Sequence, residues 1–340
     1  MAVADELRDS GAEVSFLGTR ERIEAELVPA AGYEIDFVEV RGIDRRNALR
    51  AARAGAEALA AVGAARRALR RRDADVVVGG GGFVAGPAGL AAALTRTPLV
   101  LTEADSHLGL ANRLLARRAR RVCLAFPIAG REGDPYLVTG RPVPKAVLEG
   151  DRAAARRRFG IAAEARCLLV FGGSQGARSI NLAAFEAFAE RGGRQFDVIH
   201  IAGTRDFPEL EPRLAAANPD RYTLLAYEPD LGDALAAADL VLARSGGSIF
   251  EVVAVGRPAI LVPYPFATGD HQSANAEWMR AAGAASVIPD AELSAERLQA
   301  GVGPVLGDAT RLQAMAEAAR QLAKPDAARR IADEVLEAAG

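Results

Sequence analysis

The sequence predicts an α/β protein of two domains, each built on a parallel sheet. Three observations predict it. Short apolar runs, several rich in β-branched residues, alternate throughout with Ala-, Leu- and Arg-rich segments of helical length. The chain has 340 residues, room for two domains of ~150 residues each. Near the middle the stretch Thr139-Gly-Arg-Pro-Val-Pro-Lys145 breaks helices and carries no core pattern, as a linker would. Strand–helix–strand alternation implies right-handed crossovers with helices on both faces of each sheet. The expected domains are 1–145 and 146–340, facing a cleft. The last helices, after Lys324-Pro325, could pack on either domain.

In chain order, Val14–Leu17 is the first apolar run short enough for a buried strand. Ala48–Arg71 follows with helical length and composition. Val76–Val78 and Leu99–Leu101 are strands, and Gly109–Arg120 is a helix. The second half restarts with the helical Asp151–Arg158. Its strands are Leu168–Phe171, Val198–Ile201, Leu240–Ala243 and Ala259–Val262. Its helices include Ser179–Arg191 and Arg311–Ala323.

Half of the residues are hydrophobic and a quarter are charged, which excludes a disordered, collagen-like or coiled-coil chain. No apolar run approaches the ~18 residues of a membrane span. Asp5 and Glu6 stand where a signal peptide would be basic and then apolar, so no secretion signal is expected. Cys123 and Cys167 are too few for a disulfide scaffold and are expected as small buried hydrophobes. The formal net charge of −2 divides into +4 over residues 1–145 and −6 over 146–340. Arg45 to Arg72 holds nine arginines against one acid, Glu57, and Arg113 to Arg121 holds five against none. That pattern calls for an anionic partner of the first half, or else a solvated helix face.

The strongest local feature is Leu168-Leu-Val-Phe-Gly-Gly-Ser-Gln-Gly-Ala-Arg178, a strand running through glycines into a helix. Glycines let the backbone approach a ligand, and a helix N-terminus offers unpaired N–H groups to an anion such as a diphosphate. Ser174 and Gln175 can add side-chain hydrogen bonds. No Gly-Lys-Ser/Thr follows, so this is not a Walker A loop. Gly172 to Gly176 also fits the Gly-x-Ser-x-Gly elbow of α/β-hydrolases, with Ser174 as nucleophile, but no oxyanion segment precedes it. In Arg244-Ser-Gly-Gly-Ser-Ile-Phe-Glu251, Glu251 is either the last member of a capping box with Ser248 or an acceptor for ribose hydroxyls. Pro265–Asn275 carries polar side chains in a loop. Its His271 has no partner at metal spacing, and His107 and His200 are scattered, so no zinc site is expected. In the first half, Val76–Pro87 again ends a strand in glycines. The next strand ends at Thr102-Glu-Ala-Asp105, which places Glu103 and Asp105 for cleft chemistry, or Asp105 for a helix cap.

Taken together, Gly81-Gly-Phe-Val-Ala-Gly-Pro87, Phe171–Arg178, Arg244-Ser-Gly-Gly247, Glu251 and Asp270-His-Gln-Ser-Ala-Asn-Ala276 resemble the motifs of the MurG family, in order. The resemblance runs from Ala2 to about Ala323. It implies a GT-B fold, two Rossmann-like domains facing a cleft. It also implies an inverting transfer of N-acetylglucosamine from UDP-GlcNAc to lipid I, the undecaprenyl-pyrophosphoryl-MurNAc-pentapeptide, making lipid II. The donor side would comprise Gly172, Gly173, Ser174, Gln175 and Gly176 on the diphosphate. The backbone around Tyr227 and Glu228, with Leu231, would face the uracil. Arg244, Ser245, Gly246, Gly247 and Ser248 would form the second loop, Glu251 would take the ribose, and Gln272 and Asn275 the sugar. The acceptor side would comprise Gly81, Gly82, Gly86, Pro87, Asp105, Asn112 and Arg141. No metal or other cofactor is expected. The expected location is the cytoplasmic face of the plasma membrane, with helical arginines on anionic lipid.

The chain departs from the family pattern in places. The usual opening strand and Gly-Gly-Thr-x-Gly-His loop are not matched, since Ala2–Leu7 aligns with the helix that follows them. The expected explanation is a start codon assigned too late. The usual base candidate, a histidine, is in that loop, which leaves Glu103 as base by default. The His-Glu-Gln-Asn of many relatives reads Thr102-Glu-Ala-Asp105. The linker Gly-Asn-Pro-Val-Arg reads Gly140-Arg-Pro-Val-Pro144, with Arg141 as a substitute for the lost arginine. The loop from Arg244 to Glu251 is one residue shorter than usual. The alternatives are a UDP-sugar-dependent glycolipid glycosyltransferase, a UDP-GlcNAc 2-epimerase and an inactive nucleotide-sugar-binding protein.

Overall fold

The structure is a computed structural model that describes residues 1–39, 48–173 and 176–340, without the side chains of 48–56, 58 and 268. Arg45, Arg46, Ser174 and Gln175 therefore lie outside the described residues. The chain divides into two compact units, Met1–Pro142 with Asp326–Gly340, and Val143–Pro325.

The first unit opens with α1 (Ala2–Asp9), β1 (Ser15–Gly18), α2 (Glu24–Ala30) and β2 (Glu34–Phe37). It continues through α3 (Ala48–Arg71), β3 (Val77–Gly79), α4 (Gly82–Thr95), β4 (Leu99–Glu103), α5 (Leu110–Leu115), β5 (Arg121–Leu124) and β6 (Tyr136–Val138). β1 and β2 form a parallel pair, and β3-β4-β5-β6 a parallel sheet of four strands.

The second unit runs through α6 (Lys145–Leu148), α7 (Arg152–Arg158), β7 (Cys167–Phe171), α8 (Arg178–Phe185), β8 (Asp197–Ile201), α9 (Phe207–Ala217), β9 (Tyr222–Leu225) and α10 (Leu231–Ala237). It ends with β10 (Leu240–Ala243), α11 (Ile249–Ala254), β11 (Ala259–Leu261), α12 (His271–Ala281), β12 (Ala285–Val287), α13 (Ala295–Gly307) and α14 (Ala309–Leu322). Its six parallel strands lie in the order β12-β11-β10-β7-β8-β9.

Side-chain alternation decides what each sheet face holds. In the second unit, Leu168, Val170, Leu240, Leu242 and Ile260 point to one layer and meet Ile180, Phe188, Leu298 and Val302 of the covering helices. In the first unit, Leu99, Leu101, Val122 and Leu124 pack against Ala88, Ala92 and Leu115. The intervening Val100 and Cys123 face the other way. They meet Leu7 of α1 and Ile331, Ala332 and Val335 of α15 (Ala327–Ala339). Those α15 residues form one apolar stripe at helical spacing, so the terminal helix closes the first unit's sheet. Glu334 adds an ion pair to Arg121. Both cysteines are buried and outside any disulfide, and burial pushes each thiol up to about 12, so neither is a nucleophile at neutral pH.

All seven predicted strands are present within one or two residues. The predicted helix Gly109–Arg120 is shorter, a six-residue α-helix followed by a 3₁₀ turn over Ala116–Arg118. Ser179–Arg191 becomes α8 followed by a π-helical turn, Glu186–Glu190. The strands not foreseen are β2, β5, β6, β9 and β12. Four of these lie at the edge of their sheet and are only half-buried, so their residues lack the continuous apolar run that marks a central strand.

Candidate functional site

In the second unit the strand order reverses between β7 and β10. β8 and β9 extend to one side of that pair, β11 and β12 to the other. The loops after β7 and β10 are therefore neighbours at the switch point, where a doubly wound sheet opens a crevice at the C-terminal ends of its strands. A cavity of about 270 Å³ lies there. It is lined by Phe171, Gly173, Ile201, Gly203, Ala226, Tyr227, Glu228, Pro229, Leu231, Ser248 and Glu251. Every lining residue ends a strand or follows one, so four separate loops build this wall.

The turn after β7 is tight because of its glycines. A Cβ on Gly172 would lie 2.2 Å from the Ala177 nitrogen, so the end of β7 and the start of α8 touch backbone to backbone. Gly173 and Gly176 have φ of +91° and +74°, in the left-handed region. The Gly176 N–H donates to the Gly173 carbonyl at 3.0 Å and closes the turn. Ala177 caps α8 without a side-chain hydrogen bond, which leaves that N-terminus to backbone groups.

In the loop after β10, Ser248 makes no side-chain capping bond at α11, so the capping box suggested by Ser248 and Glu251 is not formed by the serine. Glu251 shares the cavity wall with Tyr227 and Leu231. The Glu228 carboxylate is buried and is held by Arg158 at 2.7 Å and by the Asp230 N–H at 2.9 Å, so only its backbone is available to a base.

The third loop leads into α12 and carries two amides with fixed polarity. The Tyr264 N–H donates to Gln272 Oε1 at 3.0 Å, which turns Gln272 Nε2 toward Gly246, 3.6 Å from where a Cβ would stand. Asn275 is buried, and its Nδ2 donates to the Ser245 carbonyl at 3.0 Å. A carbonyl only accepts, so this amide cannot be reversed. Its Oδ1 has no hydrogen-bond partner among the described residues. Gln272 thus turns a donor toward the Gly246 loop, and Asn275 keeps a buried acceptor without a partner among the described residues.

In the first unit, Gly81 and Gly82 turn the chain into α4 with φ of +79° and +75°. Glu103, at the end of β4, accepts from the N–H of Asp105 (3.2 Å) and of Gly109 (2.8 Å) and from Asn112 Nδ2 (2.9 Å). Asn112 Nδ2 also reaches the Thr102 carbonyl at 3.0 Å, and its buried Oδ1 has no partner among the described residues. A separate groove of about 770 Å³ includes Leu59, Val62, Leu90 and Leu94 with Arg96, Arg117, Arg118 and Arg120.

This arrangement matches two family models. The glycosyltransferase family 28 N-terminal domain covers residues 1–124 and the family's C-terminal domain covers 167–331. A curated relative from Halorhodospira halophila is 41% identical over 335 residues, 98% of this chain and 92% of its own. One from Rubrobacter xylanophilus is 41% identical over 340 residues, 99% and 98% of the two chains. Both are named UDP-N-acetylglucosamine–N-acetylmuramyl-(pentapeptide) pyrophosphoryl-undecaprenol N-acetylglucosamine transferase. The crystal structure of Acinetobacter baumannii MurG superposes with a TM-score of 0.79 at 30% identity, covering 99% of this chain and 94% of that one.

The chain belongs to the MurG family. Its two units carry the Rossmann-like parallel sheets of a GT-B fold. Several residues expected as ligand contacts also have structural work. The Arg244 guanidinium donates to the carbonyls of Val262 (3.1 Å) and Pro263 (3.2 Å), to Asp290 (2.6 Å) and to Ser179 Oγ (2.8 Å). It ties the β10 loop to the β11 loop and to α8. Ser245 is fully buried, and its hydroxyl donates to the Gln272 carbonyl at 2.7 Å, so it anchors the start of α12. Pro87 is buried inside α4, a packing position. The arginine count also overstates the charge available to a partner. Arg71 and Arg72 pair with Asp36 and Glu34, and Arg121 with Asp134 and Glu334. No group of three or more His, Cys, Asp or Glu side chains among the described residues is arranged to hold a metal ion.

Sequence reasoning missed Asn181, Asp206 and Tyr222 beneath the glycine turn and left His200 without a role. A polar residue within an apolar strand, such as His200 in Asp197–Ile201, was the one available signal.

Proposed function

We propose that the protein is an inverting N-acetylglucosaminyltransferase that moves GlcNAc from UDP-GlcNAc to lipid I and forms lipid II. The observation that carries the donor half is the cavity at the switch point, where the glycine turn, Tyr227, Leu231 and Glu251 meet. The uracil lies against the backbone of Tyr227 and Glu228, with Leu231 beside it. Glu251 accepts from the ribose hydroxyls. The diphosphate sits on the amides of Gly172–Gly176 and the N-terminus of α8, flanked by the loop of Gly246, Gly247 and Ser248. Gln272 donates to the sugar and Asn275 accepts from it. The acceptor half takes lipid I near Gly81, Gly82, Gly86, Asp105, Asn112 and Arg141.

The 4-hydroxyl of MurNAc attacks C1 of GlcNAc from the face opposite UDP. The C1–O bond to the β-phosphate breaks, UDP leaves with the bonding pair, and the hydroxyl proton passes to a base. Negative charge grows on the leaving diphosphate, where fixed amides and the helix dipole stabilise it. For Glu103 the geometry favours holding the loop Asp105–Gly109 over serving as base, because three of its about four acceptor positions already receive donors.

A lipid-linked acceptor puts the enzyme at the cytoplasmic face of the plasma membrane. Among the described residues no helix is long and apolar enough to cross a membrane. The groove with Leu59 and Leu94, 75% and 63% exposed, and Arg96, Arg117, Arg118 and Arg120 suits an anionic lipid surface. Replacing Arg117, Arg118 and Arg120 with glutamine should cost ~1 kcal/mol of vesicle binding per charge. Unchanged binding to anionic liposomes would remove this contact.

The deciding experiment supplies UDP-GlcNAc and lipid I and identifies the product. A disaccharide lipid with stoichiometric UDP supports the reading. UDP-ManNAc formed without lipid would make the protein an epimerase, and a glycolipid made from diacylglycerol would make it a different transferase. Calorimetric selectivity for UDP-GlcNAc over UDP-glucose, with no turnover, would leave it a binding protein.

A further inference from the structure

A buried polar chain lies beneath the glycine turn of the second unit, and no step of the transfer uses it. His200 of β8 and Asn181 of α8 are both fully buried. Asn181 Nδ2 donates to the Ala202 carbonyl at 2.7 Å and to Asp206 Oδ2 at 2.8 Å. Both partners only accept, so the amide orientation is fixed and Oδ1 faces His200 Nε2 at 3.1 Å. Nε2 must therefore carry the proton, which leaves Nδ1 to accept from the Tyr222 hydroxyl at 2.7 Å. Every hydrogen bond points one way, from Tyr222 to His200 to Asn181 to Asp206. Burial keeps the imidazole neutral, with its pKa pushed down to about 3. Asp206 is held ionised by Arg205, at 2.8 and 3.0 Å, and by Arg178 at 3.4 Å.

The chain ends on the turn itself. A Cβ on Gly176 would lie 2.2 Å from the Ala202 oxygen and 3.3 Å from Asn181 Nδ2. The Gly176 backbone is thus seated on the carbonyl that Asn181 pins. The Asn181 N–H also donates to the Ala177 carbonyl at 2.8 Å, in the first turn of α8. The β8 end, α8 and Gly176 are thus fastened at one point.

We propose that Asn181, backed by His200 and Tyr222, is a positioning residue that presets Gly176 and the start of α8 for a diphosphate. The proposal rests on the reading of the turn Gly172–Gly176 as the diphosphate seat. A preset site avoids the cost of ordering its amides on binding. The network therefore acts on ligands in proportion to their phosphates. A purely structural cluster would lower stability without telling UDP from uridine.

The test is calorimetry of uridine and UDP on the full chain, for the parent, Asn181→Ala and the milder Tyr222→Phe. Asn181→Ala should weaken UDP about tenfold and leave uridine within about twofold. Tyr222→Phe keeps the ring packing on Phe185 but frees the imidazole tautomer, and should weaken UDP about threefold in the same selective way. If Asn181→Ala does not fold, Tyr222→Phe carries the test. Equal losses for uridine and UDP, or no loss for either, would overturn the proposal. A parent protein that binds UDP no better than uridine would overturn the diphosphate reading itself, a result seen before any variant is made. Nitrogen-15 shifts of His200 should report the Nε2–H tautomer, and the opposite tautomer would also overturn the network.

Discussion

Replacing Asn275 with alanine should leave stability almost unchanged and damage donor binding. The wild-type side chain makes one neutral hydrogen bond, Nδ2 to the Ser245 carbonyl at 3.0 Å. Its loss takes this donor from the carbonyl of fully buried Ser245 and costs about 1–3 kcal/mol. The same side chain buries an acceptor, Oδ1, without a protein partner. Removing an unsatisfied buried acceptor returns about 1–3 kcal/mol. The two effects oppose, so the net change should stay within about 2 kcal/mol of zero. Asn112 provides the contrast. It also carries an orphaned Oδ1, but its Nδ2 serves both the Thr102 carbonyl and the Glu103 carboxylate, at 3.0 and 2.9 Å. A bond to a charged group contributes about 1.5–3 kcal/mol, so Asn112→Ala should be less stable than Asn275→Ala by about 2 kcal/mol. Urea unfolding of both variants measures that difference. Calorimetry then measures function. On the proposed reading, in which Asn275 contacts the sugar and not UDP, Asn275→Ala should bind UDP-GlcNAc at least about tenfold more weakly and UDP normally. The reasoning fails if Asn275→Ala loses more than about 3 kcal/mol of stability, or if UDP and UDP-GlcNAc weaken together.

Three further predictions follow from the geometry. Gly172→Ala places a Cβ 2.2 Å from the Ala177 nitrogen, so the turn must open. It should cost about 3 kcal/mol and abolish UDP binding, whereas Gly173→Ala, in open space at φ +91°, should cost only about 1–2 kcal/mol. Equal costs in denaturant titrations would refute the contact argument. The pKa of His200 is depressed to about 3 in the folded state, against 6.5 ordinarily. Above pH 6.5 neither state binds the proton, and below it only the unfolded state does. Stability should therefore fall by ~1.4 kcal/mol per pH unit from about 6.5 toward 3, or ~3 kcal/mol between pH 7 and 4.5. A His200→Gln variant without that slope supports the assignment, and an unchanged slope contradicts it. Glu103→Gln must turn an NH₂ group toward at least one of three donors. It should lose about 2 kcal/mol in urea unfolding, and full transfer activity in this variant would show that Glu103 is not the base.

The local architecture was legible wherever one segment carried its own signal. Leu168–Phe171 is a continuous apolar run because β7 is buried on both faces at the centre of its sheet. The glycines after it are required by backbone contact within a few residues. Edge strands such as Tyr222–Leu225 were not legible, because half-exposed strands lack that run. The site was legible as loops, since Gly173, Tyr227, Leu231, Ser248 and Glu251 do line one cavity. Which members also hold the protein together was not. Arg244 and Ser245 have the residue types of ligand contacts, yet their polar groups are taken by Asp290, Ser179 and the Gln272 carbonyl.

The sequence alone determined the α/β class, the parallel strands and the glycine turns, because periodicity and left-handed backbone are properties of short segments. Only the tertiary structure decided the rest. The stripe Ile331, Ala332 and Val335 would suit any apolar sheet face, and it closes the one formed by Val100 and Cys123. The polarity of Gln272 and Asn275 is set by Tyr264 and by Ser245, 30 residues away from Asn275. The direction of the chain from Tyr222 to Asp206 depends on four side chains from separate elements meeting in the interior. Hydrogen-bond direction is a property of the assembled partners, and a linear pattern of residue types does not contain it.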